Sequence, residues 1–170
     1  CMDIKGMPFV ELVKKIKKEI EDKNIKKYIL DLRGNIGGNS EILNPFQELV
    51  AEKKLKGVLL INNGVFSSGR FAVARFKKHF NTPLIGEPTG GAIKSYGNAL
   101  QLKVGDKGFC VSTKQFDFKD IFGYEGAIQP DILIERTIND LQNNYDKQLN
   151  FAIFYLENNF INEKECIYWW

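Results

Sequence analysis

Two short, almost continuous apolar runs constrain the fold more than any other feature of this sequence. They occupy residues 28–32 and 58–61, and each is followed by a glycine-containing turn and then by helical spacing of apolar residues. Runs of this kind, without polar alternation, are typical of parallel strands that are covered on both faces of a sheet. The sequence therefore predicts an α/β fold with a mainly parallel sheet and flanking helices.

The remaining segments extend the same pattern. The spacing of Phe9, Leu12, Val13, Ile16 and Ile20 predicts a helix over 8–23. A second helix carries apolar residues from 42 to 50, with Asn39 or Ser40 as its cap and Pro45 leaving its start open by one turn. Further predicted elements are a helix from 71 to 77, a strand at 83–86, a β-hairpin of 100–104 and 109–112, a strand at 132–134 and a closing helix from 138 to 156. Without a linker or an internal repeat, we expect residues 1–170 to form one domain.

Composition excludes several other classes of protein. The chain has 170 residues, of which 44% are hydrophobic and 26% charged, so it is neither disordered nor fibrous. The net charge of +3 comes from scattered lysines, which argues against nucleic-acid binding. No apolar run predicts a membrane helix or a signal peptide. Three dispersed cysteines and one histidine predict neither a zinc site nor a disulfide framework, and we expect Cys110 to be a small core residue.

Four segments are richer in glycine, proline and small polar residues than a simple connection requires. They are residues 33–38, 65–69, 86–91 and 126–131, and three of them follow predicted strands. Because the carboxyl ends of parallel strands lie at one edge of a sheet, these segments are predicted to meet there as a site. The alternative is that their glycines serve tight turns alone.

A serine pair stands in the second of these segments, between a strand and a helix. Such a turn holds a hydroxyl out at the sheet edge, and the helix N-terminus supplies free backbone N–H groups for an oxyanion. Ser67 and Ser68 are therefore candidates for nucleophilic chemistry. The alternative is that either serine simply caps the helix. Residues 34–38 lack the remainder of a phosphate-binding loop, so nucleotide binding is not predicted.

The four segments, taken in order, resemble those of a peptidase family. Residues 31–38 read Asp-Leu-Arg-Gly-Asn-Ile-Gly-Gly, 66–69 read Phe-Ser-Ser-Gly, 86–91 read Gly-Glu-Pro-Thr-Gly-Gly, and 126–132 contain Pro-Asp-Ile. This set resembles the C-terminal processing or tail-specific serine peptidases, including the tricorn-core and retinoid-binding-protein-like branch. The match runs from about residue 9 to residue 156, and its specificity comes from the set and its order.

The resemblance implies a ClpP/crotonase-like core and hydrolysis of peptide bonds through an acyl-enzyme. Ser67 matches the nucleophile, and the backbone N–H groups of Ser68 and of Gly37 or Gly38 match the oxyanion hole. The family's lysine base falls on an alanine here, so Lys94, two residues further on, is the candidate base, with an exposed lysine as the alternative. Glu125 matches the acidic partner of the tricorn-like branch. No metal or cofactor is implied, and the implied substrate is a peptide or an unfolded protein.

Departures from the family pattern leave other interpretations open. Arg70 stands where the family carries an acidic residue, and no PDZ-type module precedes the matched region. We therefore expect a fragment of a longer protein, which by resemblance is extracytoplasmic or membrane-associated. A catalytically silent peptide-binding member of the fold is the second hypothesis, and a crotonase-type acyl-CoA enzyme is the third. Homo-oligomerisation stays open, and the apolar tail 167–170 is expected to pack on the domain or on a second subunit.

Overall fold

The computed structural model describes residues 8–159 and 166–168. Six helices and seven strands follow one another in these ranges. In chain order they are α1 (Phe9–Asp22), β1 (Lys27–Asp31), α2 (Asn44–Lys53), β2 (Lys56–Ile61), α3 (Ser68–Phe80), β3 (Leu84–Gly86), β4 (Lys94–Val104), β5 (Lys107–Asp117), α4 (Lys119–Phe122), β6 (Ile132–Leu133), α5 (Ile138–Gln142), α6 (Lys147–Asn159) and β7 (Cys166–Tyr168).

Five of the strands form one sheet in the order β6-β3-β2-β1-β7. Every neighbouring pair in this sheet is parallel, and α2 and α3 provide the connections from β1 to β2 and from β2 to β3. Helical crossovers are the ordinary way to join parallel neighbours. The predicted α/β fold with a mainly parallel sheet is confirmed.

Strand β2 is covered on both faces, which explains why its sequence is apolar without alternation. Leu59 and Ile61 belong to the cluster that also contains buried residues of α1, α2 and α3. Val58 and Leu60 belong to the opposite cluster, which contains buried residues of α6. Successive side chains of a strand point to opposite faces, so a strand covered by helices on both sides needs apolar residues at every position.

Two helix predictions were wrong in detail. The closing helix is split into α5 and α6, because Asn144 adopts a left-handed conformation (φ +50°) between them. Helix α2 begins at Asn44, with Pro45 in its first turn and no side-chain cap. Asn39 instead accepts a hydrogen bond from the backbone N–H of Glu41 through its Oδ1 atom, so its side chain stabilises the preceding loop.

The β-hairpin is longer than its sequence pattern indicated. Strands β4 and β5 pair with each other and with no other strand of the described residues. Their bases pack on α3, where the rings of Phe71 and Phe116 meet edge to face at 4.6 Å between centroids. Beyond this contact the hairpin is exposed on both faces, and Cys110 is exposed with it. The prediction of Cys110 as a core residue was wrong, because no second layer covers its strand among the described residues.

Strand β7 accounts for part of the apolar tail. Residues 166–168 pair in parallel with β1, so the backbone of Ile167 is part of the sheet. Cys1, Trp169 and Trp170 lie outside the described residues. Within the described ranges, no helix combines the length and the apolar character that crossing a bilayer requires.

Candidate active site

The loops that follow β1 and β2 are joined by backbone and side-chain hydrogen bonds. The backbone N–H of Phe66 donates to the carbonyl oxygen of Asn35 at 3.0 Å. The Oδ1 atom of Asn62 accepts from the backbone N–H groups of Gly34 at 2.9 Å and Gly64 at 3.0 Å. Both loops therefore lie together at the carboxyl edge of the sheet, as the topology of parallel strands requires.

The other two predicted segments lie against the same edge. The backbone N–H of Gly90 donates to the carbonyl oxygen of Val65 at 3.1 Å. Thr89 exchanges hydrogen bonds with Ile128: its N–H donates to the Ile128 carbonyl and its Oγ1 accepts from the Ile128 N–H, each at 3.0 Å. Gly90 has room only for hydrogen, since a β-carbon there would lie 2.1 Å from the carbonyl oxygen of Asn63. All four segments thus meet in one place.

Ser67 occupies the turn between β2 and α3 in a strained backbone conformation. Its φ of +46° and ψ of −121° lie in a region that residues with a side chain rarely adopt. Such a conformation costs on the order of 1–3 kcal/mol and persists only where surrounding contacts impose it. The residue is exposed, and its side chain caps no N–H of α3. The capping role considered for Ser67 is therefore not the one it has.

Gly37 packs directly against the serine turn. A β-carbon at Gly37 would lie 2.7 Å from the backbone nitrogen of Ser68 and 2.8 Å from the Cβ of Ser67. Its φ of +104° is also in the range that favours glycine. The Oγ of Ser68 donates to the carbonyl oxygen of Gly38 at 2.7 Å, which ties the two loops together a second time.

The backbone N–H groups of Gly37, Gly38 and Ser68 belong to the two loops that meet at the serine turn, and they differ in their partners. The N–H of Gly37 donates to the Oδ1 of Asn35 at 2.9 Å. The N–H groups of Gly38 and Ser68 have no acceptor in the part of the chain that the structure describes. Ser68 is the first residue of α3, where an N–H has no partner within the helix. Two unpaired donors beside a hydroxyl are what stabilisation of an oxyanion requires.

A cavity of about 250 Å³ opens beside this turn. Its lining includes three serines, an arginine and aromatic residues, and no aspartate, glutamate, histidine or lysine. The lining residues are Gly38, Ser40, Ser67, Ser68, Arg70, Phe71, Tyr96, Gly97, Asn98 and Phe116. Sequence reasoning missed the contribution of Tyr96, Gly97 and Asn98, because nothing local showed that the base of the hairpin covers the serine turn.

Lys94 and Glu125 are not brought together with Ser67. Lys94 is the exposed first residue of β4 and is absent from the lining of the cavity. It shares a face of the strand with Tyr96, two residues on, which does line the cavity. Glu125 is exposed, and its Oε1 accepts from the Nζ of Lys119 at 3.2 Å. Among residues 8–159 and 166–168, no cluster of three metal-binding side chains is present.

Arg70 is the site residue whose role the sequence did not reveal. Its side chain lies in the cavity wall, yet only 3% of the residue is exposed. Burial lowers the pKa of the Arg70 guanidinium, since no described carboxylate pairs with it. The sequence did mark Arg70 as unusual, because the family pattern has an acidic residue at this position.

Comparison with known proteins bears on the fold of this site. The sequence matches no protein-family model, and no curated protein matches it. Among solved structures it is similar to a photosystem II D1 C-terminal processing protease, with a TM-score of 0.57, 15% identity, and coverage of 75% of this chain and 39% of that one. It is similar also to the tricorn protease, with a TM-score of 0.55, 20% identity, and coverage of 81% and 15%.

This chain has the fold of a C-terminal processing peptidase core. A third similar structure, a candidate peptidase from Parabacteroides merdae, has a TM-score of 0.59, 16% identity, and coverage of 85% of this chain and 56% of that one. The chain spans less than two thirds of the length of each of these proteins. The peptidase-like fold expected from the four ordered segments is confirmed.

Proposed function

We propose that this chain is a serine-type peptidase domain that hydrolyses peptide bonds through an acyl-enzyme on Ser67. The observation that carries the proposal is the strained, exposed Ser67 in a cavity that is also lined by Ser68 and Gly38, whose N–H groups are unpaired among the described residues. Backbone strain of this kind concentrates at functional positions. A serine that served only as a cap would instead direct its hydroxyl to the first N–H groups of α3.

The proposed reaction has two steps. The Oγ of Ser67 attacks the scissile carbonyl carbon and its proton passes to a base, while Ser68 and Gly38 donate hydrogen bonds to the oxyanion. The C–N bond then breaks as the leaving amine takes that proton. Water attacks the resulting ester in the same way, releases the new carboxyl group and restores the Ser67 hydroxyl.

We assign Lys94 as the base and Glu125 as the acidic partner within this proposal. Lys94 stands two residues before Tyr96, which lines the cavity, so the Lys94 side chain would have to turn toward the cavity to act as the base. Glu125 would have to leave Lys119, and an exposed ion pair of this type is worth only about 0–1 kcal/mol. Both movements would have to accompany substrate binding.

A second candidate function is binding of extended peptides without cleavage. The observation that favours it is the cavity lining, which contains no base among the described residues. Arg70 stands where the family pattern has an acidic residue, and the absence of that carboxylate from the cavity lining points the same way.

Labelling with a fluorophosphonate, followed by intact-mass measurement, separates the two functions. A peptidase forms one adduct on the unaltered chain, loses it in Ser67→Ala and keeps it in Ser40→Ala, a matched serine that lines the same cavity. Saturable peptide binding without any adduct would favour the silent alternative. An adduct that persists in Ser67→Ala would overturn Ser67 as the nucleophile.

A further inference from the structure

Arg70 carries a buried charge that nothing in its surroundings neutralises. The residue lies in the first turn of α3, three positions after Ser67, and only 3% of its surface is exposed. Within the described ranges it forms no ion pair, and its Nε atom is buried without a hydrogen-bond partner. Buried charges are ordinarily paired, because removal from water costs several kcal/mol per ion.

The orientation of the guanidinium is set by neutral groups. Its Nη1 atom donates to the carbonyl oxygen of Ala92, and its Nη2 atom donates to the Oγ of Ser95 at 2.7 Å. The Cζ atom lies 5.9 Å from the centroid of the Phe66 ring. Gly91 leaves space for the side chain, since a β-carbon there would lie 2.6 Å from the Cδ of Arg70. The guanidinium is therefore held in place without a counter-charge.

Arg70 is also one of the residues that line the cavity with Ser67 and Ser68. We propose that Arg70 binds a carboxylate of the peptide substrate close to the bond that is cleaved. This inference rests on the proposed peptidase function and names its substrate class. The planar fork of a guanidinium matches the two oxygens of a carboxylate, and charge-assisted hydrogen bonds of this kind are the strongest in proteins.

The position of Arg70 limits where that carboxylate lies in the substrate. An extended peptide advances about 3.3–3.6 Å per residue, and Arg70 and Ser67 line one cavity of about 250 Å³. The carboxylate therefore belongs to a residue within about one or two positions of the scissile bond. It is either a free C-terminus or the side chain of Asp or Glu, which present the same chemistry.

Peptide binding to the full chain tests the proposal without depending on turnover. Two pairs of peptides are compared by calorimetry on the unaltered chain and on Ser67→Ala. The first pair is a free acid and its C-terminal amide, and the second is an amide with Glu beside the terminus and the same amide with Gln there. We expect the carboxylate of either source to tighten binding roughly tenfold to hundredfold over its neutral counterpart. The acid–amide and Glu–Gln pairs identify which source the site prefers.

Variants of the chain locate the effect. Arg70→Gln should remove the preference for a carboxylate, and Arg70→Lys should keep a reduced one. Lys78→Gln is the control, since Lys78 is an exposed cation of the same helix that does not line the cavity. Should Arg70→Gln fail to fold, Ser95→Ala removes one orienting hydrogen bond and should weaken the preference while the chain remains folded.

Several outcomes would overturn the assignment. They are equal binding of charged and neutral peptides to the unaltered chain, no saturable binding of any of the four, or an unchanged preference in folded Arg70→Gln. Failure of the proposed function is distinguishable from these. A carboxylate preference without a Ser67 adduct contradicts the peptidase function and supports the role of Arg70. An adduct on Ser67 without the carboxylate preference supports the peptidase function and contradicts the role of Arg70.

Discussion

The Oγ of Ser68 donates a hydrogen bond of 2.7 Å to the carbonyl oxygen of Gly38 and so joins the first turn of α3 to the loop after β1. The N–H groups of the same two residues are unpaired among the described residues, and both residues line the cavity that contains Ser67. Because a peptide N–H on the same loop moves with its carbonyl, the bond positions the donors relative to each other. Under the proposed function, the Ser68 side chain is therefore a positioning group, distinct from the Ser67 hydroxyl.

Loss of that hydrogen bond should slow the chemistry more than it weakens the fold. We expect Ser68→Ala to reduce the rate of fluorophosphonate labelling at Ser67 roughly five- to tenfold, since one hydrogen bond of about 1 kcal/mol no longer holds the loop. The free energy of unfolding should fall by about 1 kcal/mol or less. Time-resolved intact-mass measurement gives the rate, with Ser40→Ala as the control. A full labelling rate in Ser68→Ala would contradict this role.

A side chain at Gly37 should disrupt the serine turn itself. In Gly37→Ala the new methyl group meets Ser67 and Ser68 at less than 3 Å, and the residue keeps an unfavourable positive φ. We expect a loss of at least about 1–3 kcal/mol in the free energy of unfolding and no labelling of Ser67.

Gly108→Ala is the matched control for that change, because a β-carbon there meets nothing within 4 Å. Its unfolding free energy should stay within about 0.5 kcal/mol of the unaltered chain. Denaturant titration of both variants makes the comparison. Equal stability of the two would show that the loop around Gly37 adjusts freely.

Removal of the Lys94 amine should abolish activation of the nucleophile. General-base catalysis contributes about 100- to 10,000-fold, so labelling in Lys94→Ala should slow by about 100-fold or more. Lys103→Ala removes another exposed lysine of the same strand and should have no effect. Glu125→Gln, which removes the proposed acidic partner, should slow labelling by a smaller factor than Lys94→Ala. Normal labelling in Lys94→Ala would mean that the base is another group.

The stability of the fold at low pH should depend on a charge cluster around Arg33. The Arg33 guanidinium bonds Asp31 at 2.6 Å and Asp146 at 2.7 Å, which connects the end of β1 to the start of α6. Burial alone would raise the pKa of Asp146, but the hydrogen bonds from Arg33 and from the backbone N–H of Leu149 outweigh burial and lower it. A lowered pKa stabilises the fold above the unfolded-state value of about 3.9, and this stabilisation disappears as the pH falls through the folded-state pKa.

We therefore expect Asp146→Asn to lower the free energy of unfolding by about 1–3 kcal/mol at pH 7, where a charged hydrogen bond is lost. The difference from the unaltered chain should shrink as the pH falls below about 4. Urea titrations between pH 7 and pH 3 measure it, with Asp106→Asn in the exposed hairpin turn as the control. A difference that stayed constant over this range would rule out the ionised Asp146 as its source.

Some of the site could be predicted because its causes are local. The apolar runs of β1 and β2 reflect burial on both faces of a strand, and Gly34, Gly37 and Gly38 after β1 form a turn with positive φ. Ser67 is identifiable for the same reason, since a strand, a short turn and a helix define its position along the chain. Parallel pairing then brings the ends of these strands to one edge without further information.

Other features depended on contacts between distant segments. From the sequence alone, Gly37 and Gly38 were equal candidates for the second oxyanion donor. In the structure the N–H of Gly37 already donates to the side chain of Asn35, which leaves Gly38 as the candidate. The lack of a counter-charge for Arg70 is visible only once the residues around it are known.

By itself, then, the amino-acid sequence determined the layered α/β fold and the place of the serine turn. Only the tertiary structure decided which donors stay unpaired, that Lys94 lies outside the cavity lining, and that Arg70 lines the cavity of Ser67 without a counter-charge among the described residues. The physical reason is that burial patterns repeat along the chain at the period of each element, whereas the partner of a polar group is set by how separate loops meet in space.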